Sequence, residues 1–340
     1  MTRRTWGLVL ACFALTAGLG LVLVRAQSGG AASPQAAAEQ AWRTGEFDTL
    51  DTLAAGSDNP SITILRARSL IVRGDYAGAE ALLAPLASQN PAGDAGLELG
   101  LLQTYLGRQS EARRSLQMML LAAQDADSAR ELLRAGRAAR AMGRFEDANG
   151  YFRDAVALAP DDVEINTAWG ELFLEKYNRK DALRSFQDAL KADEDYGPAL
   201  VGMARTLEDD NPPEATKFAA RALTINPRNL DAQLFMAERA IGQDRKDEAR
   251  DLLAKVREVN PRRLEAIALQ AALAYVVGDT EYQALAAEAL AINPTYGELY
   301  RVVGSVTAGY YRFDEAAEQT RRAIQLDRDN WRAYASSART

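Results

Sequence analysis

The chain has 340 residues, of which 48% are hydrophobic, 26% charged and 7% aromatic, and its net charge is −7. At roughly 150 residues per domain, this length predicts about two domains, and the hydrophobic share excludes a disordered chain. The acidic balance argues against nucleic acids and anionic membrane surfaces as partners.

The sequence contains no histidine and a single cysteine, Cys12. The missing histidine excludes HExxH zinc sites, Ser-His-Asp and Cys-His nucleophile systems, and histidine general bases. One cysteine forms neither an intramolecular disulfide nor a cysteine-based metal site. We therefore predict no metal site, no cofactor and no catalytic centre within these residues.

The segment 1–26 is typical of an export signal. Arg3 and Arg4 precede an uncharged, apolar run over 6–24, and Val24-Arg25-Ala26 forms a cleavage-like site before a small polar linker at 27–33. An apolar run of this length can also span a bilayer, so an uncleaved membrane anchor is the alternative. Both interpretations place the rest of the chain outside the cytoplasm, and we expect the bacterial periplasm.

Beyond the linker the sequence repeats itself with a constant period, which is roughly 34 residues. Prolines recur two, two, one and one periods apart, at Pro91, Pro160, Pro227, Pro261 and Pro294. Glycine, alanine and phenylalanine recur one period apart, at Gly136, Ala148, Phe152 and Ala155 and then at Gly170, Ala182, Phe186 and Ala189. Between these marks the apolar spacing predicts two helices per unit, joined by a turn that often contains glycine.

This pattern resembles the tetratricopeptide repeat, a helix–turn–helix unit of about 34 residues. The second-helix marks and the closing proline are well kept, and the first-helix pattern is kept in part at Trp169-Gly170, Phe173, Tyr300 and Val303-Gly304. The resemblance implies an all-α, right-handed superhelical solenoid of about nine repeats, preceded by the N-terminal apolar helix. One continuous array over 34–330 then replaces the two domains expected from length.

We place the repeat units at 31–59, 60–92, 93–128, 129–162, 163–196, 197–229, 230–263, 264–296 and 297–330. In the eighth unit, Tyr282 stands where the second helix is expected to have a small residue. The segment 331–340 begins a further, incomplete repeat, which predicts that the natural protein continues past Thr340. The alternative is that 331–340 forms a short final helix.

The resemblance also implies a binding groove, because the first helices of such repeats line the concave face of the superhelix. Residues three, four and seven positions apart share one face of a helix. Carried over to this chain, the groove is expected to contain residues of alternating charge: Arg130, Arg137, Arg140, Glu171, Arg205, Glu208, Glu238, Tyr275 and Arg301.

Two functions follow as hypotheses. The first is a non-catalytic, extracytoplasmic scaffold that binds a peptide or a partner subunit in the concave groove. The alternative is the N-terminal repeat region of a longer secreted enzyme, for example a metallopeptidase-like one, with its catalytic domain beyond Thr340. In both, the partner is a protein or peptide, nucleic acid is not expected, and the membrane is contacted only through an uncleaved N-terminal segment.

Overall fold

A computed structural model of the protein describes residues 32–328 and 333–335. Residues 32–328 form eighteen α-helices and one short 3-10 helix (123–125), residues 333–335 are helical as well, and there is no strand among the described residues. The predicted export segment at 1–26 lies outside the described residues, as does most of the linker at 27–33. Within the described part, no helix has the length and apolar character needed to cross a membrane.

The described helices follow one another as nine pairs. The first helices of the pairs are α1 (Pro34–Thr44), α3 (Pro60–Val72), α5 (Asp94–Tyr105), α7 (Ala129–Ala141), α9 (Val163–Glu175), α11 (Gly197–Leu207), α13 (Leu230–Gly242), α15 (Leu264–Val277) and α17 (Glu298–Gly309). The second helices are α2 (Phe47–Ala55), α4 (Tyr76–Gln89), α6 (Gln109–Ala122), α8 (Phe145–Leu158), α10 (Arg179–Ala192), α12 (Pro212–Ile225), α14 (Lys246–Val259), α16 (Glu281–Ile292) and α18 (Phe313–Leu326).

The helix ends follow from local sequence. Loops between pairs supply side chains that cap the next helix: the Asp162 carboxylate, for example, accepts a hydrogen bond of 3.0 Å from the Ile165 backbone N–H. The turns within eight of the nine pairs contain a residue with positive φ, which ends the first helix, and the turn between α11 and α12 has none. This residue is glycine at Gly45, Gly74, Gly107, Gly143 and Gly278, and another residue at Tyr177, Asp244 and Tyr311.

Small residues allow the helices of a pair to approach closely, and aromatic rings fill the space between pairs. Ala148, Ala182, Phe152 and Phe186 are fully buried. A Cβ added to Gly202 would lie 2.3 Å from the Phe186 ring, so only glycine fits there. Removing such a ring typically costs about 3–5 kcal/mol.

The eighth pair accommodates the large residue that the repeat pattern does not expect. Tyr282 packs edge-on against Tyr275, with 4.9 Å between ring centroids, and its hydroxyl lies 3.3 Å from the Gln319 side-chain oxygen. The core of this unit is therefore built around a tyrosine pair, with the shortened helix α16 beside it.

The array coils back on itself, so that pairs distant in sequence come into contact. One apolar cluster joins Tyr76 and Leu83 from α4 to Leu264 and Ile267 from α15 and to Leu299 from α17. About five pairs therefore complete one superhelical turn, and the first helices face its interior.

One kind of contact recurs three times between successive superhelical turns of the described residues, and we call these three contacts the inter-turn seam. In each, the asparagine that ends a second helix packs against a positive-φ glycine from the turn below: Asn226 on Gly45, Asn260 on Gly74 and Asn293 on Gly107. A Cβ on these glycines would lie 2.2, 2.4 and 2.2 Å from the asparagine side-chain oxygen. Glycine is thus required here for space as well as for backbone conformation.

Candidate partner-binding lumen

We call the interior of the superhelix the lumen. A row of acidic residues lies along it, at the N-terminal ends of first helices. The first or second residue of five first helices is acidic, at Asp94, Glu164, Asp231, Glu265 and Glu298. Carboxylates are stabilised at this end of a helix, because the peptide dipoles place partial positive charge there. The α7 helix instead has Arg130 at this position, and α11 has Pro198.

Arginines bridge these acids from one helix to the next. Arg130 pairs with Asp94 at 3.3 Å on one side and with Glu164 on the other. Arg263 lies 2.8 Å from both Asp231 and Glu265. The wall of the lumen is therefore a network of ion pairs that links neighbouring repeats.

A buried triad lies at one end of this network. Arg68 and Arg137 contact the Glu98 carboxylate at 2.8 and 3.3 Å, and only 9% of the Glu98 side chain is exposed. Burial alone would raise the pKa of Glu98, but the two guanidinium groups outweigh burial and lower that pKa to about 2. The triad is therefore charged at neutral pH.

A cavity of about 1850 Å³ opens along α13, α15 and α17, with α6 and the α7–α8 turn on the opposite wall. A neighbouring cavity of about 570 Å³ lies along α9 and α11. The two share charged residues on their walls, namely Arg140, Glu175, Arg205, Glu208, Asp231 and Arg301. The two cavities therefore adjoin, and charged residues stand between them.

Six of the nine predicted groove residues meet in this space. Arg140, Arg205, Glu208 and Arg301 line both cavities, Glu238 lines the larger one and Glu171 the smaller one. Five of the six are engaged in ion pairs: Arg140 pairs with Glu171 and Glu175, Arg205 lies 3.9 Å from Glu238, and Arg301 lies 2.6 Å from Glu298.

The three other predicted residues line neither cavity. Arg130 and Arg137 belong to the ion-pair network that continues beyond the cavities. Tyr275 lies at the end of α15, where its hydroxyl donates a hydrogen bond of 3.1 Å to Glu315 and Arg312 lies over its ring. The structure therefore places Tyr275 in the packing of the last two pairs.

Glu208 differs from the other carboxylates of the lumen. Burial raises its pKa, and the nearby Glu238 and Asp209 carboxylates raise it further, against the opposing effect of Arg205. This part of the lumen is therefore electrostatically suited to an added cation.

The groove prediction omitted Arg263 and the acidic row. The signal was present in the sequence, because Glu164, Asp231, Glu265 and Glu298 follow one another at spacings of two, one and one repeat periods. Over the described residues, no group of three or more cysteine, aspartate or glutamate side chains is arranged to hold a metal ion.

Comparisons with known proteins agree with this architecture. A tetratricopeptide repeat family model matches residues 206–273, and no curated protein matches the chain. A chain of the APC/C hetero-tetramer Cut9–Hcn1 shares the fold at 11% identity with a TM-score of 0.58. That match covers 86% of this protein and 58% of the Cut9–Hcn1 chain.

A tetratricopeptide repeat protein from Parabacteroides merdae ATCC 43184 is also similar. It has 17% identity and a TM-score of 0.49, over 72% of this protein and 98% of its own chain.

The helix pairs, the family match and the fold shared with the Cut9–Hcn1 chain define the class of protein. It is an all-helical repeat solenoid that resembles tetratricopeptide repeat proteins. Such folds are typically non-catalytic scaffolds for protein–protein interaction.

Proposed function

We propose that the protein is an extracytoplasmic scaffold that binds an extended segment of a partner protein in the lumen. The observation that carries this proposal is the pair of adjoining cavities, which six predicted groove residues line. Charged residues line the two cavities, and successive repeats contribute to them. These properties suit a polypeptide segment better than a small apolar ligand.

The ion pairs of the lumen do not oppose such binding strongly. Partly exposed pairs contribute roughly 0–1 kcal/mol each, so charges on a partner can replace them at low cost. Glu208 and Glu238 favour a basic side chain at the junction of the two cavities. We therefore expect the bound segment to present lysine or arginine there.

Charge reversal at Arg205 tests the proposal. Arg205→Glu changes the junction of the cavities, and Arg184→Glu on the outer helix α10 is the matched control. Each arginine lies 3.9 Å from one carboxylate, Glu238 or Asp181 respectively. Tagged variants are used to capture partners from the envelope fraction of the source cells, followed by quantitative mass spectrometry.

We expect at least one partner that wild type and Arg184→Glu retain equally and that Arg205→Glu retains at least tenfold less. Equal capture by all three proteins would show that the lumen is not the binding surface. The extracytoplasmic location is tested separately by cell fractionation and by the mass of the mature N-terminus. A protein that begins at Met1 in the cytoplasm contradicts that part of the proposal.

A further inference from the structure

The ion-pair wall of the lumen is interrupted at helix α11. The second residues of α9 and α13 are Glu164 and Asp231, and each is bridged by an arginine, Arg130 and Arg263 respectively. The second residue of α11 is Pro198, which offers no carboxylate to such a bridge. One first helix in the middle of the array therefore presents a different surface to the lumen.

This surface is a single row of side chains, which we call the α11 stripe. Pro198, Val201, Arg205 and Glu208 are separated by three, four and three positions, so they share one face of the helix. All four line the smaller cavity, and Arg205 and Glu208 also line the larger one. The stripe runs from an apolar end to a charged end over about 15 Å.

The apolar end of the stripe lies beside further apolar groups. The Phe186 ring packs against Gly202, where an added Cβ would lie 2.3 Å from it. Phe186, Gly202 and Leu174 line the smaller cavity together with Pro198 and Val201. An aliphatic side chain placed here would contact carbon atoms on several sides, which favours its transfer from water.

The charged end of the stripe has hydrogen-bonding groups that the described residues do not use. In this part of the chain, the ion-pair partner of Arg205 is Glu238 at 3.9 Å, which is too far for a hydrogen bond. The Glu208 carboxylate forms neither an ion pair nor a hydrogen bond with a described residue. A guanidinium and a carboxylate are therefore available to a ligand at the same place.

The surrounding charges determine which ligand groups suit this end. Glu208 favours an added cation, because burial and the neighbouring carboxylates raise its pKa. The nearby Glu238 carboxylate raises the pKa of Arg205, burial opposes this effect, and Asp231 raises that pKa further. These acids would repel a ligand carboxylate, so the acceptor that suits Arg205 is a neutral main-chain carbonyl.

Glu208 also lowers the stability of the free protein. Its pKa is higher in the folded chain than in the unfolded one, so at neutral pH folding is less favourable than it would be without this charge. Charged groups that cost stability in this way are typical of binding sites.

We propose that the α11 stripe binds a partner segment in which an aliphatic residue and a lysine or arginine are about three residues apart. The aliphatic side chain packs on Pro198 and Val201. The basic side chain pairs with Glu208 and Glu238, and a main-chain carbonyl between the two residues accepts from Arg205. This inference rests on the proposed scaffold function and specifies the chemistry of the bound segment.

The spacing follows from helix and strand dimensions. From Val201 to Glu208 the helix rises about 10 Å. An extended chain rises about 3.3 Å per residue, so it covers this distance in about three residues.

The test uses a blocked, fluorescent peptide, Leu-Ser-Ser-Lys-Ser-Ser-Leu, titrated into the purified protein at low ionic strength and followed by anisotropy. Leucines on both sides of the lysine allow either chain direction. We expect saturable binding that weakens at least tenfold when the lysine is replaced by glutamate. It should weaken at least threefold when both leucines are replaced by serine.

Two protein variants test the two ends of the stripe. Glu208→Gln should weaken binding at least fivefold, and its matched control is Glu214→Gln, which removes one charge from the second helix α12. Pro198→Ser should weaken binding at least threefold. Its matched control is Pro213→Ser, since both prolines are exposed and each is the second residue of its helix. Both controls should bind within twofold of wild type.

The stability of Glu208→Gln separates a binding role from a structural one. Its urea midpoint at pH 7 should equal or exceed that of wild type, because the substitution removes an unpaired, partly buried carboxylate. A lower midpoint together with weaker binding would show that Glu208 supports the fold, and would overturn its assignment as a binding residue.

The other outcomes are also distinguishable. Absent saturable binding, equal affinity for the lysine and glutamate peptides, or unchanged binding by either Glu208→Gln or Pro198→Ser would overturn the inference. If the peptide does not bind but Arg205→Glu still loses a captured partner, the scaffold proposal stands and the assigned segment chemistry is wrong. A dimer that Glu208→Gln abolishes would assign the stripe to a second copy and overturn the inference, although the net charge of −7 disfavours self-association.

Discussion

At the scale of single residues, the sequence does not show which charged side chains are buried in the folded protein. Glu98 looks like any acid on a helix, yet it is enclosed between Arg68 and Arg137. Its folded pKa lies below its unfolded value, so it stabilises the fold above the unfolded pKa of about 4.5. That stabilisation is lost as pH falls through the folded value of about 2.

Glu98→Gln is expected to lower the free energy of unfolding at neutral pH by about 3 kcal/mol, because it leaves two partly buried guanidinium groups without their carboxylate. The difference from wild type should shrink as pH falls from 5 towards 2. Urea titrations at several pH values measure both effects. Glu111→Gln is the control, since 43% of the Glu111 side chain is exposed and it pairs with Arg108 at 3.6 Å. Equal effects of both substitutions would contradict a buried triad.

At the scale of helices and turns, the same backbone conformation serves two purposes. Gly107 and Gly278 both end first helices, with φ of 73° and 74°. Only Gly107 is covered by another superhelical turn, where Asn293 leaves no space for a Cβ. In the sequence, the two turn glycines look equivalent. In the structure, Gly278 is needed only for its backbone conformation, whereas Gly107 is also needed because no space remains for a Cβ.

We expect Gly278→Ala to cost about 1 kcal/mol, the usual penalty for alanine at positive φ. Gly107→Ala should cost clearly more, about 2–4 kcal/mol, since the seam must also shift to admit the methyl group. Urea midpoints of the two variants provide the comparison. Indistinguishable midpoints would mean that Asn293 does not cover Gly107 in solution.

At the scale of the whole molecule, the seam converts an open array into a closed coil. Stacked repeats are stabilised by their nearest neighbours, so helix content does not depend on the seam. The superhelical pitch does depend on the seam, because the seam joins parts of the chain that are about five repeats apart. Opening the seam should therefore expand the molecule without unfolding it.

The double variant Asn260→Asp, Asn293→Asp tests this expectation. Aspartate keeps the local turn but cannot donate to the Ile71 and Tyr105 carbonyls, and its charge is unfavourable at a helix C-terminus. Small-angle scattering should show a larger radius of gyration, with unchanged circular dichroism. Asn90→Asp, at the exposed end of α4, should leave the radius unchanged. A compact double variant would contradict the role of the seam.

Much of the fold was readable from sequence because repeat architecture is local. The constant repeat period, the positions of Ala148, Phe152 and Ala155, and the turn glycines predict helix pairs, since each pair is built from residues close in sequence. First helices begin at 60, 129, 163, 197, 230 and 264, which are the starts of the corresponding predicted units. Tyr282 does not fit the repeat pattern, and in the structure its ring packs against that of Tyr275.

The candidate site was harder to predict from the sequence than the fold. Arg140, Arg205, Glu208 and Arg301 were identified because they recur on one helix face, a property of local geometry. Arg130, Arg137 and Tyr275 satisfied the same rule but lie outside the cavities. The position of the cavities depends on how the superhelix coils. The spacing of residues within one helix does not show how the superhelix coils.

The sequence by itself determined an all-helical array of stacked pairs, because apolar spacing, capping residues and small-residue positions act over a few residues. Only the tertiary structure decided that the array closes upon itself. The three asparagine–glycine contacts join successive superhelical turns, and their energy depends on the summed rotation of about five repeats. The same closure distinguishes Gly45, Gly74 and Gly107 from Gly278, against which no described side chain packs, since neighbours from another superhelical turn leave no mark in the local sequence.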